Sequence, residues 1–208
     1  MKEKEELRLK LLKEIEEDLH SKGMEYICGI DEAGRGPLAG PVVVAAVIMP
    51  KDSFIEGVND SKKVSEKKRE KLYEQITNEA IAWSVAIIDQ KEIDSLNILN
   101  ATKKGVTMCI QELETKPNLI LVDALEHIET CGIPYTPVVK GDAKVYSIAA
   151  ASIIAKVTRD RIMKEWAEVY PQYEFAQNKG YGTAKHIAAI KEHGICPLHR
   201  HSFVKNFV

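Results

Sequence analysis

Three apolar runs in this chain end at or near an aspartate: 27–30 at Asp31 and Glu32, 119–122 at Asp123, and 137–139 at Lys140-Gly141-Asp142. A carboxylate beside buried strands loses hydration at high cost unless something compensates. Several that converge repel one another and raise each other's pKa. A hard dication answers both problems. Mg²⁺ takes oxygen ligands, keeps some of its waters, and needs only one or two carboxylates plus substrate phosphate oxygens. Two such ions can activate water and steady the leaving oxygen in phosphodiester cleavage. A plainer reading stays open, because an aspartate after a strand also caps helices and forms turns. Nor does the pattern bring the acids together. Strand alternation points Asp31 and Glu32 to opposite faces. They share a site only if the chain bends, which Gly34 and Gly36 permit close by.

The loop after the first acids is Gly34-Arg35-Gly36-Pro37-Leu38-Ala39-Gly40. Its spacing is not that of a dinucleotide fingerprint, and Pro37 removes an amide where phosphates want one. The phosphate-cradling Gly-x-x-x-x-Gly-Lys-Ser/Thr pattern does not occur, which disfavours a nucleotidase of that kind. The loop reads as a tight turn that lets backbone approach a ligand, with Arg35 beside the acids suited to a polyanionic substrate. A purely structural turn is the alternative. Cys196-Pro197-Leu198-His199-Arg200-His201 carries metal-ligating residue types. Zinc wants four ligands in good geometry, however, and Cys131 is the only plausible addition.

These groups need a scaffold. Residues 1–22 place Leu7, Leu11, Leu12, Ile15 and Leu19 at helical spacing among charges, predicting an amphipathic helix laid on the domain or on a partner. Residues 26–30 predict a buried strand, and the β-branched run 42–48 a strand covered on both faces. Ser65 is a good N-cap for a helix to about residue 80. Strands at 83–88, 119–122 and 137–139 complete the sheet. Helices are expected over 97–115 and 145–169, the second apolar on most sides in its first half and therefore central. Residues 172–182 read as a loop. Thr183 caps a last helix that ends at His193 before Gly194, and the tail reads as irregular. The expectation is α/β, a mixed sheet flanked by helices, with residues 23–208 as one domain behind the N-terminal helix.

Bulk composition narrows the function classes. The 208 residues are 45% hydrophobic and 29% charged with net charge −2, which suits one globular domain but lacks the basic excess of a protein that coats nucleic acid. Positive charge for such a partner must be local. Of the four cysteines, Cys28 and Cys109 sit in apolar strings and read as buried thiols. The charged N-terminus carries no secretory signal, and no apolar stretch reaches membrane-span length. The cytoplasm is the default location.

The string running from Gly29 through Ile30-Asp31-Glu32-Ala33-Gly34-Arg35-Gly36 to Pro41 resembles the signature of type 2 ribonucleases H, the bacterial ribonuclease HII family. Asn59-Asp60-Ser61-Lys62-Lys63 is similar to its Asp-Ser-Lys loop. Lys140-Gly141-Asp142 with 149–157 is similar to its late catalytic segment. Lys179-Gly180-Tyr181-Gly182-Thr183, His193-Gly194 and His199-Arg200-His201-Ser202-Phe203 resemble its C-terminal part. The resemblance implies a ribonuclease H-like mixed sheet flanked by helices, with a helical C-terminal part. It implies hydrolysis of RNA in RNA–DNA hybrids and incision 5′ of single ribonucleotides in duplex DNA, leaving 3′-hydroxyl and 5′-phosphate ends. It places the family's catalytic, metal-binding acids on Asp31, Glu32, Asp123 and Asp142, with Mg²⁺ or Mn²⁺ as cofactor. Its loop that reads the 2′-hydroxyl falls on Gly34, Arg35 and Gly36, and its junction-sensing tyrosine on Tyr181.

Lys62 and Lys63 would contact phosphates. Ser152 and Lys156 share one side of the long helix and could line the site, although core packing is the simpler reading. The expected partners are RNA–DNA hybrid and ribonucleotide-containing duplex, with no membrane and a monomeric enzyme. The rivals are a non-catalytic nucleic-acid-binding module, a junction resolvase or integrase-like nuclease that ignores the 2′-hydroxyl, and a scaffold protein.

Overall fold

A strand without polar side chains needs cover on both faces, and Val42–Ile48 receives it. In a computed structural model that describes residues 2–208, this run is buried along its whole length. The strands are β1 (Ile27–Ala33), β2 (Val42–Ile48), β3 (Ala82–Ile88), β4 (Leu119–Asp123) and β5 (Tyr135–Val138). They form one sheet in the order β3-β2-β1-β4-β5. β2 is antiparallel to β1 and β3, whereas β1, β4 and β5 run parallel. The fold is α/β, with a mixed sheet flanked by helices.

The helices are α1 (Lys2–Ser21), α2 (Glu66–Glu79), α3 (Gln90–Leu96), α4 (Ile98–Glu112), α5 (Tyr146–Val169), α6 (Phe175–Asn178), α7 (Ala184–His193) and α8 (His201–Val204). On one face, α1, α2 and α5 pack over Val43, Ala45 and Val47. On the other, Val106, Cys109 and Ile110 of α4 pack over Cys28, Ile30, Val44 and Ala46. Gly29 lets the start of α5 touch β1, since a Cβ there would stand 2.2 Å from the carbonyl carbon of Ser147. A separate apolar cluster that includes Met163, Tyr173, Phe175, Ile190 and Leu198 holds the helical C-terminal part together. Among the described residues, no helix is long and apolar enough to cross a membrane.

Three expectations change. The helix expected over 97–115 is preceded by the short α3, and Asn97 at φ 66° separates the two, its side chain accepting from the Asn100 N–H. The loop expected over 172–182 contains α6, because Tyr173 and Phe175 are buried and draw the chain inward. The tail contains α8 behind a fully buried Arg200.

The buried face of α1 also differs from the expected stripe. Leu9 and Leu12 are buried, while Leu7 and Leu11 are 61% and 60% exposed. In this orientation α1 also meets a capping demand elsewhere. Val145 cannot cap α5 with its side chain. The buried Glu16 carboxylate does so instead, accepting from the N–H groups of Tyr146 at 3.0 Å and Ser147 at 3.2 Å. Lys13, one turn earlier, donates to the carbonyls of Lys51 and Ser53.

Candidate active site

The parallel pairing of β1 with β4 puts Ile30 opposite Val122, so the next residue of each strand is an acid: Asp31 beside Asp123. Asp142 lies in a 3₁₀ turn, Gly141–Ala143, between β5 and α5. That turn is tied to β4 because the Gly141 N–H donates to the Asp123 carboxylate at 2.7 Å. One carboxylate oxygen from each of Asp31, Asp123 and Asp142 lies within 4.8 Å of the others, and Asp31 and Asp142 are buried. The sequence pattern suggested three strand-end acids, and the structure brings them to one point.

Burial pushes the Asp31 carboxyl well above the usual carboxylate range, and the charges of Glu32, Asp123 and Asp142 add to the push. Asp142 is raised as well, by burial first and then by Asp60 and Asp123. Such a cluster is stable when a cation supplies what water no longer does. Its donors are all hard oxygens, which fits a divalent ion of the Mg²⁺ or Mn²⁺ type rather than a soft-metal site.

Glu32 lies outside the trio. It pairs in register with Val44 on the sheet face opposite Asp31, whose partner Ala45 packs under α5. Its carboxylate accepts from Arg35 at 3.2 Å. Burial raises its pKa, Arg35 opposes that shift, and the Asp123 charge adds to the rise. Glu32 therefore stands at the margin of the cluster, within electrostatic reach of it.

Arg35, Gly34 and Gly36 border a cleft of about 250 Å³ that also touches Asp31, Glu32, Ser61, Lys62, Lys156 and Tyr181. Gly34 has φ +98°, and a Cβ there would meet Nε of Arg159 at 2.1 Å. At Gly36 a Cβ would make only an ordinary contact, with Tyr181 Cε1 at 3.8 Å. Tyr181 is 44% exposed at this opening. Lys62 reaches Asp142 at 3.7 Å with most of its side chain in solvent. Burial works against its charge, but Asp142, Asp60, Asp31 and Asp123 together raise its pKa. Lys63 pairs with Asp60 at 3.8 Å. The ligand-like tail residues form no metal cage: Cys196 and His199 bond to each other, and Cys131 is exposed.

Four more residues lie at or behind the cleft. Asp60, inside the Asp-Ser-Lys loop, presses on Asp142. Lys156 lines the cleft and is held to Asp160 at 2.6 Å, where core packing was the simpler expectation. Arg159 and Arg200 lie buried behind the glycine loop. Asp60 was findable from its place in a family motif. Arg200 also stands in a motif string, His199-Arg200-His201-Ser202-Phe203, but nothing local marks it or Arg159 as a buried charge.

A profile of the family described as Ribonuclease HII matches residues 28–206, a span that holds every acid of the cleft. The chain belongs to the ribonuclease HII family. A ribonuclease HII of Acetivibrio thermocellus is 56% identical over 193 residues, covering 93% of this chain and 75% of that relative. A ribonuclease HII of Caldicellulosiruptor saccharolyticus is 53% identical over 195 residues, covering 94% and 95%. Among solved structures, the ribonuclease H2 of Pyrococcus horikoshii superposes with a TM-score of 0.73 at 28% identity, covering 88% of this chain and 96% of that one. The sheet is thus a ribonuclease H-like fold, and the protein is a metal-dependent hydrolase, an endonuclease of the ribonuclease H class. The ribonuclease H family acts on RNA–DNA substrates.

Proposed function

We propose that this enzyme hydrolyses the RNA strand of RNA–DNA hybrids and incises 5′ of single ribonucleotides embedded in duplex DNA, by two-metal-ion catalysis. The products would carry 3′-hydroxyl and 5′-phosphate ends. The observation that carries the reading is the convergence of three carboxylate oxygens within 4.8 Å beside the Gly34–Gly36 loop. Asp31, Asp123 and Asp142 would hold the ions, Mg²⁺ or Mn²⁺, with Glu32 joining from the margin. Bound there, such ions would supply Lewis acidity and charge neutralisation for phosphodiester hydrolysis.

The chain's own groups select and place the substrate. Lys62 meets phosphate oxygens and, in their absence, rests against Asp142. Arg35 holds Glu32 and is half exposed, so it can also reach the backbone of a bound strand. Amides of the Gly34–Gly36 loop can approach a ribose closely because no side chain stands at 34 or 36. Tyr181 presents a ring edge against that loop and can pack on a neighbouring sugar, most closely where that sugar is a deoxyribose. The enzyme acts as a monomer, with residues 23–208 as the catalytic unit and α1 as a brace, and it works in the cytoplasm, where such hybrids form.

The test is a DNA duplex with one ribonucleotide, incubated with Mg²⁺, Mn²⁺ or EDTA, beside an all-DNA control. Metal-dependent cleavage 5′ of the ribonucleotide, absent from the control, supports the reading. Equal cutting of the all-DNA duplex would point instead to a resolvase-like nuclease.

A further inference from the structure

The His199-Arg200-His201 segment has no part in the function described so far, yet Arg200 is fully buried. No carboxylate among the described residues pairs with it. Its donors go to backbone carbonyls of the glycine loop. Nη2 donates to Gly34 at 2.6 Å and Pro41 at 3.1 Å, Nη1 to Arg35 at 2.9 Å, and Nε to Gly40 at 3.0 Å. Arg159, also buried, grips the loop at Ala39 and Pro41 and crosses to the carbonyl of Lys179, two residues before Tyr181. A buried guanidinium is costly to desolvate and is retained where several acceptors converge on its planar fork.

A trans peptide sets its C=O and N–H on opposite sides. Turning the Gly34 carbonyl inward therefore turns the Arg35 N–H outward, and the Arg35 carbonyl does the same for the Gly36 N–H. Among the described residues neither amide has a hydrogen-bond partner. Both sit at the cleft, where a Cβ on Gly36 would have Tyr181 as its nearest neighbour. A free N–H recognises a hydroxyl oxygen, and among nucleotides only the ribose offers one at C2′.

From this geometry we infer that Arg200 is a specificity-determining positioning residue, which holds the Gly34 and Arg35 carbonyls inward so that the Arg35 and Gly36 amides face the 2′-hydroxyl of the substrate. Lysine cannot replace it, because three donors on one nitrogen do not span carbonyls from residue 34 to residue 41. The inference rests on the reading of the loop proposed above.

The experiment compares wild type with Arg200→Lys for melting temperature, Mn²⁺ affinity and kcat/KM. The substrates are a duplex with one ribonucleotide and the same duplex with a 2′-fluoro nucleotide there. The folded variant should bind Mn²⁺ within about twofold of wild type. It should lose at least about tenfold in kcat/KM on the ribonucleotide, and its preference over the 2′-fluoro duplex should shrink. A purely structural role would lower the melting temperature and leave the preference unchanged. A folded Arg200→Lys with wild-type rates and preference overturns the inference, whereas wild type inert on the ribonucleotide sinks the reading of the site itself. If Arg200→Lys does not fold, amide shifts are read on the Asp123→Asn protein. The Arg35 and Gly36 amides should respond to the ribonucleotide duplex and not to its all-DNA counterpart, and equal responses overturn the inference.

Discussion

The backbone N–H of Gly141 donates to the carboxylate of Asp123 at 2.7 Å, so the residue before one acid of the cluster orients another. The bond ties the end of β4 to the turn that carries Asp142. It also separates folding from chemistry at this position, because it needs only an acceptor oxygen, while a cation needs charge.

Asp123→Asn should keep that acceptor and keep the fold. Cleavage should fall by at least about a hundredfold while hybrid binding stays measurable. In EDTA the variant should be more stable than wild type, because a charge that presses on Asp31 is gone. Wild type should gain about 2.7 kcal/mol at an Mn²⁺ concentration a hundred times its Kd, and the variant much less. Denaturation with and without Mn²⁺, beside a cleavage assay, reads all of this. Near-normal turnover would remove Asp123 from the catalytic set.

The two loop glycines should fail in different ways. Gly34→Ala places a methyl at φ +98° against Arg159 and should cost at least about 2 kcal/mol of stability. Gly36→Ala has room for its methyl and should unfold within about 0.5 kcal/mol of wild type. Its methyl enters the space beside Tyr181, so cleavage of the ribonucleotide duplex should fall roughly tenfold. A fully active Gly36→Ala would argue that no substrate approaches there.

Glu16 caps α5 from the other end of the chain, a few residues after Asp142. Glu16→Ala leaves the Tyr146 and Ser147 amides unpartnered and should cost about 1–3 kcal/mol. Glu16→Gln keeps an acceptor and should recover part of the loss. Urea midpoints of the three proteins test this, and an alanine variant as stable as wild type would show that the cap contributes nothing.

A histidine pair predicts acid sensitivity. The Cys196 N–H donates to Nδ1 of His199 at 2.9 Å, which leaves the His199 proton on Nε2, 3.0 Å from Nε2 of His186. His186 then donates through Nδ1 to the Tyr181 carbonyl at 2.9 Å. Both rings must be neutral. Burial lowers both pKa values, that of His199 to about 4 with the His186 charge adding to the effect. Because the unfolded histidines titrate near 6.5, the unfolded chain takes up these protons first as pH falls. The contribution is intact above about 6.5 and declines toward about 4, by at most about 1.4 kcal/mol per pH unit for each ring. His199→Gln should be less stable at pH 7, and its deficit should narrow by pH 5. Parallel stability curves would show that His199 does not titrate in this way.

The legible part of this protein was local. Hydrophobic runs placed the strands, and the acids at their ends stood out because a charge beside a buried run is rare without a reason. Thr183 was readable as a cap, and its side chain accepts from the His186 N–H at 3.2 Å. The motif strings around Asp31, Asp60, Asp142 and Tyr181 carried the family. Of the stripe Leu7, Leu11, Leu12, Ile15 and Leu19 in α1, Leu12 is buried but Leu7 and Leu11 are exposed. Leu9, outside that stripe, joins the core, because the packing of the domain and the Lys13 and Glu16 hydrogen bonds turn the helix.

The sequence by itself thus determined which residue types stand at the ends of which strands, because backbone propensity and side-chain period act over a few neighbours. Only the tertiary structure decided that Asp31, Asp123 and Asp142 meet and that Glu32 stands at the margin. Parallel register between β1 and β4, and a hydrogen bond from Gly141, set distances between residues far apart in the chain. The same holds for Arg200. A buried charge is stable only where distant carbonyls converge on it, and no local pattern encodes that convergence.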